Sequence, residues 1–180
     1  IQTWTLVAKW CKQQVEGFRP LYLFEANKGA NVKESYVILD VRGLVIRAGS
    51  TAAKTVQDGD KMIPSWQEGL ANFIDKELKT LFEQGIQPRQ IIAAWDAGNT
   101  YRTSLFPDYK KKRKEASSKS SEASKAELNN LQRKASELFK CLGIKQVEVP
   151  GEEADDLIKM LCDKLDAEQI IVHTVDEDLL

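Results

Sequence analysis

Residues 36–40 read Tyr-Val-Ile-Leu-Asp, an apolar run that ends on a carboxylate. The run lacks the alternation of a half-exposed strand, so it predicts a parallel strand buried on both faces. Ile91-Ile92-Ala93-Ala94-Trp95-Asp96 has the same form. A strand over Gln169 to Thr174 runs into Asp176-Glu177-Asp178, and Val147-Glu148-Val149 gives a short fourth. Between these runs the apolar period changes to that of a helix. Trp66, Leu70, Phe73, Ile74, Leu78, Leu81 and Phe82 share one face of a helix expected from Pro64 to about Gln84, with Gly85 as its stop. Leu128, Leu131, Ala135, Leu138, Phe139 and Leu142 define a second, from about Glu122 to Leu142, closed by Gly143. Ala154, Leu157, Ile158, Leu161 and Leu165 define a third, over 152–165. Near the start, Trp4, Val7, Trp10, Cys11 and Val15 predict an amphipathic helix over 3–15, and Leu21 to Phe24 a short strand. Residues 56–61 read as polar loop.

Strands alternating with helices give an α/β fold class with a mostly parallel central sheet flanked by helices. In such sheets ligands bind beyond the carboxyl ends of the strands. Asp40, Asp96 and Asp176 are all expected there. Glu153, Asp155 and Asp156 join them at the head of a helix. Helix capping and the helix dipole also favour acids in a first turn, and a solvated acidic turn is the plain alternative for Asp176 and Asp178. Four elements each delivering acids to one edge outweighs those separate explanations. Oxygen ligands without His or Cys partners select Mg²⁺ or Mn²⁺, and several carboxylates together suit two ions.

Charge sharpens the picture. The 180 residues carry a net charge of only −1, with 42% apolar and 29% charged content, as in an ordinary globular domain. The balance is uneven along the chain. Thr100 to Lys125 holds eight Lys or Arg against three acids, whereas Lys145 to Leu180 holds three Lys against eleven acids. The basic stretch, with Lys110-Lys111-Lys112-Arg113-Lys114 followed by Ser-rich sequence, has too few apolar residues to pack and is expected to be mobile. It reads either as a solvated loop or as a phosphate-backbone grip, with Arg102 as a further phosphate contact and Tyr101 and Tyr109 placed to stack on unpaired bases. Cys11, Cys141 and Cys162 are scattered, and His173 is the single histidine, which argues against a zinc centre, and reduced thiols in a cytoplasmic protein are expected. No apolar run approaches the roughly 20 residues of a membrane span, so no membrane partner is expected.

The ordered motifs resemble the 5′→3′ exonucleases and flap endonucleases of bacteria and bacteriophages, from about Tyr36 to Leu180. Tyr36 to Asp40 with Arg47 seven residues on is similar to the family's first strand and its following basic residue. Trp95-Asp96 is similar to the second strand's ligand. Tyr101-Arg102 through Phe106-Pro107-Asp108-Tyr109-Lys110-Lys111-Lys112-Arg113 resembles the signature that leads into a helical arch. Gly151-Glu152-Glu153-Ala154-Asp155-Asp156 and Thr174 to Leu180 resemble the two acidic motifs that follow.

The resemblance implies roles. Asp40, Asp96, Glu153 and Asp155 would serve mainly a first metal, with Asp156 between the sites and Asp176 and Asp178 tending to a second. Lys110 and Arg113 would meet the scissile phosphate, steadied by Arg102 and Arg47. Tyr101, Tyr109, Lys111, Lys112 and Lys114 would contact DNA, and the arch, about 107–130, would admit a 5′ single strand or flap. The expected cofactor is Mg²⁺ or Mn²⁺, two ions. The family's K⁺ site belongs to a helix–hairpin–helix region expected beyond this chain, which reads as ending before it. Residues 1–35 read as an extension without an assigned role, and 36–180 as the catalytic core. Asp40-Val41-Arg42-Gly43 departs from the family's Asp-Gly by displacing the glycine. The competing readings are a PIN-like ribonuclease, an Asp-x-Asp phosphatase and a non-catalytic DNA-binding fragment.

Overall fold

The structure, a computed structural model, describes residues 34–98, 100–106, 108–111 and 120–177. The helix expected over 3–15 and the strand at 21–24 lie outside the described residues, as do Lys112, Arg113, Lys114 and Asp178. Strand β1 is Tyr36–Asp40, and helix α1, Val41–Ser50, follows it without a linker. A hairpin of β2 (Lys54–Asp58) and β3 (Lys61–Pro64) leads to the long helix α2. Helix α2 comprises Trp66–Phe73, a π-helical turn Ile74–Leu78 and a last stretch Lys79–Glu83. Then come β4 (Ile91–Ala94), the short α3 (Tyr101–Leu105), α4 (Glu122–Leu142), β5 (Lys145–Val147), α5 (Ala154–Lys164) and β6 (Ile170–His173).

The four-stranded sheet runs β5-β4-β1-β6, and every pairing in it is parallel. The apolar strand β1 is central because both its faces are covered. Val37 and Leu39 point into a core built with α1, α2 and α4, whereas Ile38 points the other way, to Ala154, Leu157 and Ile158 of α5. Phe73 and Phe139 are fully buried and tilt against each other at 5.8 Å between centroids. Burial of each such ring contributes about 2 kcal/mol or more. Three layers of this kind leave the carboxyl edge of the sheet open, which is where the acids are delivered. Among the described residues no helix is long and apolar enough to cross a membrane.

Several elements differ from the sequence expectation. Helix α1 was not anticipated, although Val41, Leu44, Val45 and Ala48 are its buried face at helical spacing. Residues 56–61 are not simple loop. They form most of a hairpin, with Val56 opposite Ile63, Asp58 opposite Lys61, and Gly59 at φ 58° in the turn. Gly59-Asp60, the two residues between the strands, is a turn signal of the kind that closes hairpins, and the polar side chains are the exposed face of a two-stranded ribbon. Helix α2 starts two residues later than Pro64, because Pro64 ends β3 and Ser65 caps the helix by accepting from the Glu68 amide. Strand β5 lies at Lys145–Val147 rather than 147–149, since its register pairs Ile92 with Lys145. Helix α4 has the expected bounds, ended by Gly143 in the left-handed region at φ 73°.

Candidate metal and nucleic-acid site

A parallel sheet sends all its carboxyl ends to one side, and here the sequence after each end is acidic. Asp40 is the last residue of β1 and the cap position of α1. Asp96 lies two residues past β4, Asp176 three past β6, and Glu153, Asp155 and Asp156 open α5 just after β5. Backbone hydrogen bonds draw these loops together. The amide of Trp95 donates to the Val147 carbonyl, that of Ala97 to Glu152, and that of Tyr101 to Gly151. The chain after β4 therefore lies along the segment leading into α5. Asp96 then accepts from the Ala154 amide at 2.9 Å and serves as the cap that Glu153, in the cap position of α5, does not provide.

On the other side of β1, Thr174 donates to Asp40 Oδ2 at 2.9 Å, and the Asp176 amide donates to the same Thr174 hydroxyl at 2.9 Å. One hydroxyl thus ties the acid of the first strand to that of the last. This closure also explains the displaced glycine. A Cβ on Gly43 would stand 2.7 Å from Val175 Cγ2 and 3.0 Å from Asp40 Oδ2. Glycine is required at 43 because the 174–176 loop crosses the first turn of α1 there.

The electrostatics are those of crowded carboxylates. Burial pushes the Asp40 carboxyl up, against the Thr174 hydrogen bond, and Asp96 and Asp176 push it further. Burial also raises Asp155, and the charges of Asp40, Asp176 and Asp96 add to it. The four acids therefore share one field, and their mutual repulsion favours a cation between them. Asp156 adds a second sign. Its Oδ1 meets Arg102, but its Oδ2 is buried without a hydrogen-bond partner among the described residues. An orphaned buried carboxylate oxygen beside hard oxygen donors fits a divalent ion of the Mg²⁺ type.

The basic segment reaches into the same place. Arg102, on α3, donates from Nη1 to Glu153 Oε2 and from Nη2 to Asp156 Oδ1, both at 2.6 Å. Lys110 donates to Glu153 Oε1 at 2.9 Å, and the Tyr109 hydroxyl to Glu153 Oε2 at 2.9 Å. Burial works against the Lys110 ammonium, but Glu153 outweighs it and holds the pKa up. Burial would likewise raise Glu153, but Lys110 and Tyr109 hold it below the usual carboxylate range. Lys110 sits at φ 55°, a strained conformation for a residue with a Cβ, and such strain gathers at functional sites. Arg42 approaches Asp96 at 3.5 Å. As the side chains stand, no group of three or more acid, His or Cys residues among the described residues is placed to hold a metal ion, and Glu153, Asp156 and Asp96 are instead engaged by cations.

The structure thus brings together Asp40, Asp96, Glu153, Asp155, Asp156, Asp176, Arg102, Tyr109 and Lys110. Tyr101 is exposed beside Arg102, whose guanidinium lies 5.6 Å from the ring centroid, and Lys111 pairs with Asp108 at the surface. Arg47 is turned elsewhere. Its guanidinium is held by both oxygens of Glu77, at 2.7 and 2.8 Å. Sequence reasoning missed Glu77, although it sits seven residues after Leu70 and four before Leu81, an acid inside the apolar stripe of α2. It also gave His173 no positive role, and His173 Nε2 lies 2.7 Å from Glu77 Oε2.

Residues 35–180 match the family described as 5′-3′ exonuclease, N-terminal resolvase-like domain. The chain is similar to a 5′-3′ exonuclease of Bacillus subtilis, 34% identical over 148 residues, which covers 80% of this chain and 46% of the relative. It is similar to DNA polymerase I of Lactococcus lactis subsp. cremoris, 33% identical over 108 residues, covering 57% of this chain and 11% of that protein. The chain spans half or less of the length of the curated relatives it matches. A solved complex of the bacteriophage T5 flap endonuclease with DNA and metal ions superposes with a TM-score of 0.59 at 20% identity, covering 81% of this chain and 50% of that one. The zinc-bound T5 5′-exonuclease gives 0.58 at 20% identity, covering 81% and 51%. At these identities the likeness establishes the fold, an α/β unit with a parallel sheet flanked by helices.

Proposed function

Because the chain belongs to the 5′-3′ exonuclease family through its N-terminal resolvase-like domain, we propose that it is the carboxylate-rich core of a nuclease that hydrolyses DNA phosphodiester bonds near 5′ ends or flaps. The observation that carries the reading is the convergence of acid-bearing elements at the sheet's carboxyl edge, where the Thr174 hydroxyl ties Asp40 to the Asp176 amide and Asp96 caps the helix that bears Asp155 and Asp156. The residues that would hold the ions are Asp40, Asp96, Glu153, Asp155, Asp156 and Asp176, with Asp178 beyond the described residues. Their all-oxygen chemistry favours Mg²⁺ or Mn²⁺, and their number suits two ions. Bound there, such ions supply Lewis-acid polarisation of the phosphate and lower the pKa of water.

The chain's own residues do the rest. Arg102 and Lys110 hold donors at the carboxylates, where an incoming phosphate would take their hydrogen bonds and where charge develops in the transition state. Tyr101 and Tyr109 present ring faces to unpaired bases, Lys111, Lys112 and Lys114 follow the backbone, and Arg113 joins Lys110 at the scissile phosphate. Residues 36–180 would be the catalytic core and 107–130 the arch over a 5′ single strand. Zinc-bound and DNA-bound structures of the T5 enzyme support a divalent-metal, DNA-directed reading.

A paired digest tests the substrate class. A 5′-flapped duplex DNA and a single-stranded RNA are offered with Mg²⁺ or Mn²⁺ and with chelator. Metal-dependent cleavage of the flap supports the reading; preferential cleavage of the RNA supports a PIN-like ribonuclease instead.

A further inference from the structure

Glu77 is the one acid of α2 that is removed from water, with its side chain only 3% exposed. A buried charge is costly unless it is paired, and it is paired twice: to Arg47 of α1, whose Nη2 donates to both carboxylate oxygens, and to His173 at the end of β6. Burial would raise its pKa, but the hydrogen bonds from His173 and Arg47 prevail and hold it low. The carboxylate lies in the π-helical turn Ile74–Leu78, where the helix carries one extra residue per turn. Both partners lead directly to the acidic edge. Arg47 belongs to the helix that Asp40 begins. His173 pairs across β1 with Leu39, the residue before Asp40, and is followed by Thr174, whose hydroxyl holds both Asp40 and the Asp176 amide.

We infer that Glu77 is a positioning residue: through Arg47 and His173 it fixes α1 and the end of β6, and so sets Asp40 and Asp176 side by side. Glu77 touches neither acid. It acts as a clamp beneath them, and His173 is the link that transmits it to the 174–176 loop. The consequence for metal binding rests on the nuclease reading; the consequence for the loop does not.

The test therefore has two readouts. In Glu77→Gln and in the milder His173→Gln, amide hydrogen exchange at Asp176 is expected to accelerate roughly tenfold or more, while Ile92 and Ala93 in the neighbouring strand keep their protection. Under conditions where all variants are folded, Mn²⁺ affinity by calorimetry is expected to fall by about tenfold in Glu77→Gln, as for loss of outer-shell support. Unchanged exchange at Asp176, or a uniform rise across the sheet that follows a drop in Tm, overturns the positioning role. Absence of Mn²⁺ binding in the unmutated chain counts against the metal reading alone, and the exchange result still decides the role of Glu77.

Discussion

Arg102 and Asp156 meet at 2.6 Å, and the same guanidinium reaches Glu153 at 2.6 Å. One cation thus occupies two of the carboxylates assigned to metal. In the metal-free chain this pairing relieves the repulsion that a divalent ion would otherwise relieve, so the two compete for Asp156. Arg102→Ala is expected to tighten Mn²⁺ binding by about fivefold, a coupling of roughly 1 kcal/mol, while slowing cleavage. Calorimetry and a cleavage assay on the same variant check it; weaker Mn²⁺ binding would mean that Arg102 organises the ligands rather than competing with the ion.

The pH dependence has a defined sign. Asp40 and Asp155 have pKa values raised above 3.8 in the folded chain, first by burial. Raised carboxyls contribute stability that is present below the unfolded pKa and lost as pH rises through the folded one. In the metal-free chain they are therefore a cost at neutral pH, and a divalent ion removes it. Glu77 and Glu153 are lowered from 4.5, so their contribution is present above that value and is lost as pH falls through the folded pKa. The rise in Tm on adding Mg²⁺ should accordingly be larger at pH 7.5 than near pH 4, close to the ordinary value of 3.8 above which both are raised. Thermal melts with and without the ion at both values measure it; an equal shift at both would show that these two acids are not the ligands.

Gly43 is where α1 admits the 174–176 loop. Gly43→Ala places a methyl 2.7 Å from Val175 Cγ2. The loop must move, at a cost of about 1–3 kcal/mol typical of overpacking. Denaturant unfolding should show that loss, and Mn²⁺ affinity should fall with it. Wild-type stability and affinity in this variant would place the loop elsewhere.

Lys110 and Lys111 begin the basic segment assigned to the phosphate backbone. Replacing Lys111 with Ala should weaken binding to a flapped DNA similarly for all sequences and reduce the slope of log K against log salt by about 0.9 if it meets one phosphate. An unchanged slope would make Lys111 a solvated residue paired only with Asp108, as it is at 3.1 Å in the free chain.

Strands β1, β4 and β6 were legible in the sequence because each is an apolar run followed within three residues by a carboxylate, whereas β5, Lys-Gln-Val, carries no such pattern and was expected two residues later. The helices with a single apolar face were legible too, and α4 most fully, since Ser121 and Gly143 mark both its ends. Helix α1 was hidden because it follows β1 with no turn residue between them, and its glycine at 43 suggests loop. The hairpin was hidden because its face is polar. The Glu77 clamp was harder: periodicity shows an acid in an apolar stripe, but only the tertiary fold shows Arg47 and His173 converging on it from two other elements. The same convergence holds the Arg47 guanidinium at Glu77, while its side chain stays about half exposed.

The most direct measurement is Mg²⁺-dependent cleavage of a 5′-flapped DNA by the protein and by its Asp155→Asn form. Asp155 is half-buried among Asp40, Asp96 and Asp176, so the substitution removes one ligand charge at the centre of the cluster while keeping its shape. A carboxylate-metal site at this edge predicts cleavage by the unmutated protein that disappears with chelator, and loss of about a hundredfold or more in the variant with its fold retained. Undiminished cleavage by the Asp155→Asn form would contradict it.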